Sequence, residues 1–322
     1  MPAMTMVEAL NLALKQEMSK DKSVIVLGED VGIDGGVFRV TEGLYKKFGP
    51  NRVIDTPLAE SGIVGTSIGL ALGGLKPVAE IQFSGFIYPA LDQLISHASR
   101  IRNRSRGQFN IPMVVRAPYG GGIRALEHHS ESMEALFIHP PGLKVVMPST
   151  PYDAKGLLVS SIRDPDPVIF FESEKLYRSI KQEVPTKEFS IPLGKAAIRK
   201  EGSDITIITW GAMTVPALSA AAKSNYSIEV IDLRTLSPFD IETVINSVKK
   251  TGRAIVVHEA PRTAGLGAEI VAQINEKALL DLQAPVERVT GYDTIFPLAK
   301  LENYYLPDVK KVTEAIERVM KF

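Results

Sequence analysis

The feature that most constrains this chain is the repeated alternation of short, uninterrupted apolar runs with longer amphipathic segments. Met6, Leu10, Leu14 and Met18 recur at four-residue spacing and predict a helix, and the run Val24 to Leu27 then reads as a strand. Strand-like runs return at Pro77 to Ile81, Pro112 to Val115, Lys144 to Met147 and Val168 to Phe171, and Leu91, Leu94, Ile95, Ala98 and Ile101 mark one further helix face. A strand exposed on one side would alternate apolar with polar residues. Continuous runs imply burial on both sides, so the chain should build a mainly parallel sheet covered by helices, an α/β fold.

The periodicity lapses between Lys175 and Ser203, where charged residues surround Pro185 and Pro192, and a crossover is expected there. Beyond it the alternation resumes. Strands are expected at Ile205 to Trp210, Ile228 to Leu233, Ala254 to His258 and Val286 to Val289, and helices centred near Leu218, Val244, Ile270 and Ile316. The predicted organisation is a first domain over 1–185, a linker over 186–202 and a smaller α/β domain over 203–322. No repeat at fixed period and no low-complexity segment interrupts this plan.

Composition removes several functions. Thirty-seven basic residues balance thirty-seven acidic ones, so no net field draws nucleic acid or anionic lipid, and neither partner is expected. The chain has no cysteine, which excludes disulfides, thiolate metal sites and cysteine nucleophiles and fits a cytoplasmic location. The first twenty residues mix acidic and polar side chains among apolar ones and do not read as an export signal. The longest uncharged stretch, Ser61 to Leu75, is shorter than the roughly 20 residues of a membrane span and is rich in glycine, so it reads as a buried, close-packed helix.

Three segments could carry chemistry. Glu60 opens the small, apolar helix that follows Asp55-Thr56-Pro57. It either favours the positive N-terminus of that helix or serves as a poorly solvated functional carboxylate able to exchange a proton with a ligand. His128 and His129 follow the turn Tyr119-Gly120-Gly121-Gly122. Zinc binding would want histidines three to five apart, so a general acid–base or oxyanion-stabilising histidine is the better functional reading, against a histidine that merely caps the next helix. The segment Gln82-Phe83-Ser84-Gly85-Phe86 lies just past a predicted strand, where ligands bind in open α/β sheets; its aromatics could stack on a flat ring, though Phe83 reads better as core. No GxxxxGK[ST] loop, full dinucleotide fingerprint or G-x-S-x-G elbow is present.

Taken together, Gly28-Glu29-Asp30-Val31, Gly35-Gly36-Val37-Phe38, Asp55-Thr56-Pro57 with Glu60, Ala79-Glu80-Ile81-Gln82-Phe83, His128-His129-Ser130, Pro141 to Val146 and Ala264 to Ile270 resemble one family. It is the β subunit of the thiamine-diphosphate-dependent 2-oxo acid dehydrogenases, the decarboxylating component of the pyruvate and branched-chain complexes. The resemblance implies a transketolase-like fold, with a domain that grips the cofactor's aminopyrimidine and a C-terminal domain that docks partners. It also implies an α2β2 heterotetramer whose α subunit holds the diphosphate and Mg2+, working with a dihydrolipoyl acyltransferase core.

By this resemblance Glu60 hydrogen-bonds the pyrimidine N1′ and favours the tautomer that deprotonates the thiazolium. The carbanion so formed attacks the 2-oxo acid, and the acyl unit left after decarboxylation passes to a lipoyl group. His129 rather than His128 matches the active-site histidine, expected to orient substrate and deliver a proton during acyl transfer. Gln82 and Phe86 match cofactor-pocket positions, Phe86 standing where some branched-chain relatives carry tyrosine. A structural potassium ion is implied as well, held by carbonyls of Met113, Ser161 and Ile162 with Asp164 and Asp166, the last often asparagine in relatives; otherwise both aspartates form a turn with Pro165 and Pro167. Two other readings stay open, a sugar-phosphate enzyme half and a non-catalytic scaffold subunit. Segments 79–83 and 127–130 look more branched-chain-like.

Overall fold

The computed structural model describes residues 1–322, which form two compact units, Met1–Tyr119 with Leu136–Leu193, and Gly120–Ala135 with Gly194–Phe322. The division differs from the contiguous one expected from sequence. The second boundary falls at 193/194, and residues 120–135 pack with the C-terminal unit although they lie deep within the N-terminal half. No helix is long and apolar enough to cross a membrane.

In the first unit, six parallel strands are β1 Val24–Gly28, β2 Val53–Asp55, β3 Lys76–Glu80, β4 Val114–Tyr119, β5 Lys144–Val146 and β6 Val168–Ser173. Their order in the sheet is β5-β6-β4-β3-β1-β2. Every residue of β1, β4 and β6 is buried, which explains the continuous apolar runs. Register sets the functional geometry: Gly28 at the end of β1 pairs with Asp55 on one side and Glu80 on the other, so three neighbouring strands end level.

Helix α1, Met6–Lys20, begins at a capping box in which Thr5 Oγ1 accepts from the Glu8 amide and the Thr5 amide donates to the Glu8 carboxylate at 2.7 Å. Its predicted stripe of Met6, Leu10, Leu14 and Met18 is fully buried and packs against α3, Pro151–Arg163. Between them in sequence, α2 spans Glu60–Leu72.

Two expectations are corrected here. Helix α2 is half-buried only: Ile63, Val64, Ser67, Ile68 and Ala71 face inward, while Gly62, Thr66, Gly69 and Leu72 are exposed. Glycine and threonine supply too little apolar area to compel burial, so an uncharged stretch need not be enclosed. The single helix expected over 91–101 is helical but broken: a 3₁₀ turn Ser84–Ala90 precedes it, a wide π-type turn forms Gln93–Ala98, and after a break at 99–100 a short helix runs Ile101–Arg104. Pro89, with no amide hydrogen, sits inside the first of these turns.

The second unit carries β7 Ala197–Lys200, β8 Ile205–Thr209, β9 Ile228–Asp232, β10 Ala254–Val257 and β11 Glu287–Val289, in the order β11-β10-β8-β9-β7. All pairings are parallel except β9 with β7, whose antiparallel edge strand lies within the segment expected to be linker. The helices Thr214–Lys223, Ile241–Thr251, Leu266–Ala278 and Val309–Met320 fall on the four predicted centres.

Candidate active site

The level strand ends of the first unit bring three of the motif segments to one edge of the sheet. Glu29 and Asp30 follow β1, the Asp55–Glu60 segment follows β2, and Gln82 to Phe86 follow β3. This is the carboxyl edge of a parallel sheet, where successive loops diverge and leave room for a ligand.

Glu60 is the first residue of α2, half-buried, and the cap before it, Ala59, offers no side-chain hydrogen bond to the helix. The Glu29 carboxyl is pushed above its ordinary range by burial first, and then by the negative charges of Asp30 and Glu60. Glu29 and Asp30 follow β1 and Glu60 opens the helix after the neighbouring β2, so the three carboxylates stand at adjacent strand ends. Gln82 joins them, its Nε2 donating to Asp30 Oδ2 at 3.0 Å. Asp30 holds a left-handed backbone (φ 58°), and Asp55 accepts the amide hydrogens of Gly32 and Ile33, so the loop after β1 is tied back over β2. A side chain at Gly32 would crowd the Asp55 carboxylate that the Gly32 amide binds.

Phe86 lies in the 3₁₀ turn against which α2 packs. Its ring meets Phe83 edge-on at 5.7 Å, and Phe83 meets Phe38 at 5.5 Å. Phe83, expected as core, is only half-buried; the ring belongs to this aromatic row.

Beneath the edge lies a buried polar group to which sequence reasoning assigned no role. Arg116 on β4 donates to Glu172 on β6 through two nitrogens, each at 2.7 Å, and to Glu80 on β3 at 2.6 Å; Tyr177 Oη donates to Glu172 at 2.7 Å. A charged residue inside the otherwise apolar run Val114-Val115-Arg116 was the available signal. The Glu80 carboxyl is raised by burial against the opposing pull of Arg116, and the Tyr177 phenol is raised well above its usual range by burial and then by Glu172.

His129 belongs to the second unit, in a 3₁₀ turn Glu127–His129 closed by its own amide donating to Leu126 O at 3.0 Å. Both His128 and His129 are half-buried. Burial holds the His129 imidazole below its ordinary pKa, His128 adds to that, and Glu127 opposes it, so His129 favours the neutral, proton-accepting form.

The residues expected to hold potassium are gathered in the first unit, but protein groups already engage most of them. Lys144 Nζ stands 2.6 Å from Asp164, Arg102 Nη1 reaches both oxygens of Asp166 at 2.7 Å, and the Met113 and Ser161 carbonyls accept from the Val168 and Asp164 amides. An ammonium supplies the positive charge assigned to the ion, so this donor set does not fit a bound potassium as it stands. The sequence expectation overlooked Lys144 because it is distant along the chain and opens a strand.

Residues 2–180 match the family described as "Transketolase, pyrimidine binding domain", and residues 194–312 match "Transketolase, C-terminal domain". The chain is 54% identical over 324 residues to the "Pyruvate dehydrogenase E1 component subunit beta" of Acholeplasma laidlawii, covering 100% of this chain and 99% of that one. It is also 54% identical over 325 residues to the protein of the same description from Bacillus subtilis (strain 168), covering both chains fully. Among solved structures, one described as "Split gene transketolase, inactive beta4 tetramer" matches with a TM-score of 0.81 at 23% identity over 99% of each chain. At that identity the likeness concerns the fold, which is transketolase-like as the sequence motifs imply.

Proposed function

This chain belongs to the family of pyruvate dehydrogenase E1 component β subunits, with transketolase pyrimidine-binding and C-terminal domains, and from that premise we propose that it is the β half of a thiamine-diphosphate-dependent enzyme that decarboxylates pyruvate and passes the acyl group to a lipoyl acceptor. The observation that carries the proposal is the gathering of Glu60, Glu29, Asp30 and Gln82 at the level ends of three adjacent parallel strands.

That donor set fits an aminopyrimidine. A carboxyl can share a proton with a ring nitrogen, an amide can pair with a ring substituent, and a half-buried aromatic ring such as Phe86 offers a flat apolar face. The same set suits a diphosphate poorly, because three carboxylates at one edge repel a polyanion. By the family resemblance, diphosphate and Mg2+ fall to the α partner, in an α2β2 assembly. Thiamine diphosphate supplies the electron sink for decarboxylation. Glu60 holds the proton shared with the pyrimidine N1′, Gln82 orients the ring while Asp30 fixes the amide of Gln82, and Phe86 packs on the ring. His129, favouring its neutral form, accepts and returns a proton at the acyl-transfer step. The acyl acceptor is the lipoyl group of a dihydrolipoyl acyltransferase core.

Pyruvate is favoured by the full-length relatives named for it. Branched-chain 2-oxo acids form the second reading, resting on the segments 79–83 and 127–130. The sugar-phosphate and scaffold readings are not favoured by the full-length relatives. The test is dye reduction by this chain reconstituted with its α partner, thiamine diphosphate and Mg2+, on pyruvate and on three branched-chain 2-oxo acids. Turnover highest on pyruvate supports the proposal; an assembled, cofactor-loaded tetramer silent on all four substrates overturns it.

A further inference from the structure

The segment Gly120–Ala135 carries His129, and the second unit grips it through carboxylates distant in sequence. The Gly121 amide donates to Glu259 Oε1, 138 residues away, and the Arg124 amide donates to Glu302 Oε2 at 3.1 Å, 178 residues away. At the far end of the segment, Glu134 Oε1 accepts the indole N–H of Trp210 at 3.1 Å, and the indole stacks on His258 with centroids 5.2 Å apart. Glu259, Glu302 and Glu134 are each no more than 5% exposed. The backbone approaches this lining closely: a side chain at Gly121 would meet the Phe296 ring at 2.4 Å, and Gly120, Gly122 and Arg124 all adopt positive φ.

Burying three carboxylates beside the apolar cluster of Phe296, Tyr305 and Leu306 is costly. The cost is visible in the Glu134 carboxyl, raised by burial, and in the Tyr305 phenol, raised by burial and by the charges of Glu259 and Glu134. A neutral glutamine or a backbone carbonyl would accept one amide hydrogen with less desolvation. What a carboxylate adds is a charge-assisted bond of roughly twice the strength, which narrows the range of positions open to the amide it holds.

We propose that Glu259 and Glu302 are positioning residues: they clamp the backbone at Gly121 and Arg124 and so fix where the Glu127–His129 turn presents His129. The inference rests on the role given to His129 above. The two bonds lie on the N-terminal side of the turn, and the Glu134–Trp210 bond lies on its C-terminal side, so the turn is held from both flanks. Left unclamped, a segment this rich in glycine and positive φ samples many positions, and small misplacements of a proton-transfer group lower rates steeply.

The test compares Glu302→Ala, Glu302→Gln, Glu259→Gln and His129→Ala in the assembled enzyme with its α partner. Hydrogen–deuterium exchange over residues 120–135 reads the clamp itself. Dye reduction with pyruvate and acylation of a free lipoyl domain read the two half-reactions. Glu302→Ala should raise exchange in this segment and lower lipoyl acylation by about tenfold or more while dye reduction changes by less than about twofold. Both glutamine variants, which keep an oxygen acceptor but lose the charge, should fall between Glu302→Ala and the unmodified enzyme in exchange and in acylation. Unchanged exchange in Glu302→Ala, or a parallel fall of both half-reactions, overturns the clamp. Normal acylation by His129→Ala would instead overturn the role of His129, and the exchange measurement would then decide the clamp alone.

Discussion

Arg116 and Glu172 form a two-pronged ion pair on adjacent strands, Nε to Oε1 and Nη2 to Oε2 both at 2.7 Å, with neither side chain more than 1% exposed. Glu80 adds a third contact to the same guanidinium, leaving two carboxylates to one cation in the floor of the candidate site. Such a group contributes little net stability when complete, but its loss in part is severe, because a charge is then left buried alone.

The Arg116→Met variant should therefore lose about 3–5 kcal/mol, enough to compromise folding. Glu80→Gln should lose much less, since one carboxylate remains to pair with the arginine and the Glu80 carboxyl is already raised by burial. Thermal unfolding of the two variants beside the unmodified chain checks the ranking. Equal losses would show that the pairing is not organised around Arg116.

His258 gives a pH signature. Burial first, and then the positive charges of Arg288 and Arg262, lower its pKa from 6.5 to about 4. The unfolded chain thus takes up a proton at higher pH than the folded one, so the contribution of neutral His258 is complete above about pH 6.5 and is lost as pH falls toward 4. The loss amounts to about 3 kcal/mol over that window. Melting temperatures measured between pH 7.5 and 4 should fall for the unmodified chain, and His258→Gln should flatten the slope over the same window. An unaltered slope in the variant would assign the effect to other groups.

How much of this was legible in sequence follows from what burial does to patterns. Strands enclosed on both faces, such as Val24–Gly28 and Ala254–Val257, leave continuous apolar runs. The edge strand Ala197–Lys200 carries Arg199 and Lys200, is nowhere fully buried and so leaves no such run. Val53–Asp55 is too short to show a period. Glu60 and Gln82 were legible because each stands just past a strand in a recognisable motif. Glu259 and Glu302 were not, because nothing local marks a glutamate whose partner is an amide more than a hundred residues away. The placement of residues 120–135 in the second unit was hidden for the same reason: contiguity in sequence carries no information about which core a glycine-rich excursion joins.

Lys144 yields a prediction about ions. Its ammonium lies 2.6 Å from Asp164 and 3.8 Å from Asp166, so exchanging potassium for sodium salt should leave the melting temperature of the unmodified chain unchanged. Removing the amine in Lys144→Met leaves the partly buried Asp164 without its cation and should cost about 1 kcal/mol, a drop of roughly 2–4 °C, part of which added potassium should restore. Potassium-specific stabilisation of the unmodified chain would show that the ion binds beside, or displaces, the ammonium.

The last prediction concerns Glu60 itself. Glutamine at this position keeps the size and a hydrogen-bonding oxygen but cannot share an acidic proton with a ring nitrogen. Glu60 begins α2 without a capping bond to the helix, so Glu60→Gln should fold and assemble with the α partner normally. Because proton transfer by a positioned side chain contributes about 10²–10⁴-fold, dye reduction with pyruvate should fall by that factor. Removing one carboxylate should also ease the charge repulsion on Glu29, whose carboxyl should titrate at lower pH in the variant, measurable by carboxyl NMR on the β chain. Full turnover by an assembled Glu60→Gln enzyme would refute the role of Glu60 as the proton-holding group; lost turnover with an unchanged Glu29 titration would separate the catalytic role from the acidic grouping that the structure displays.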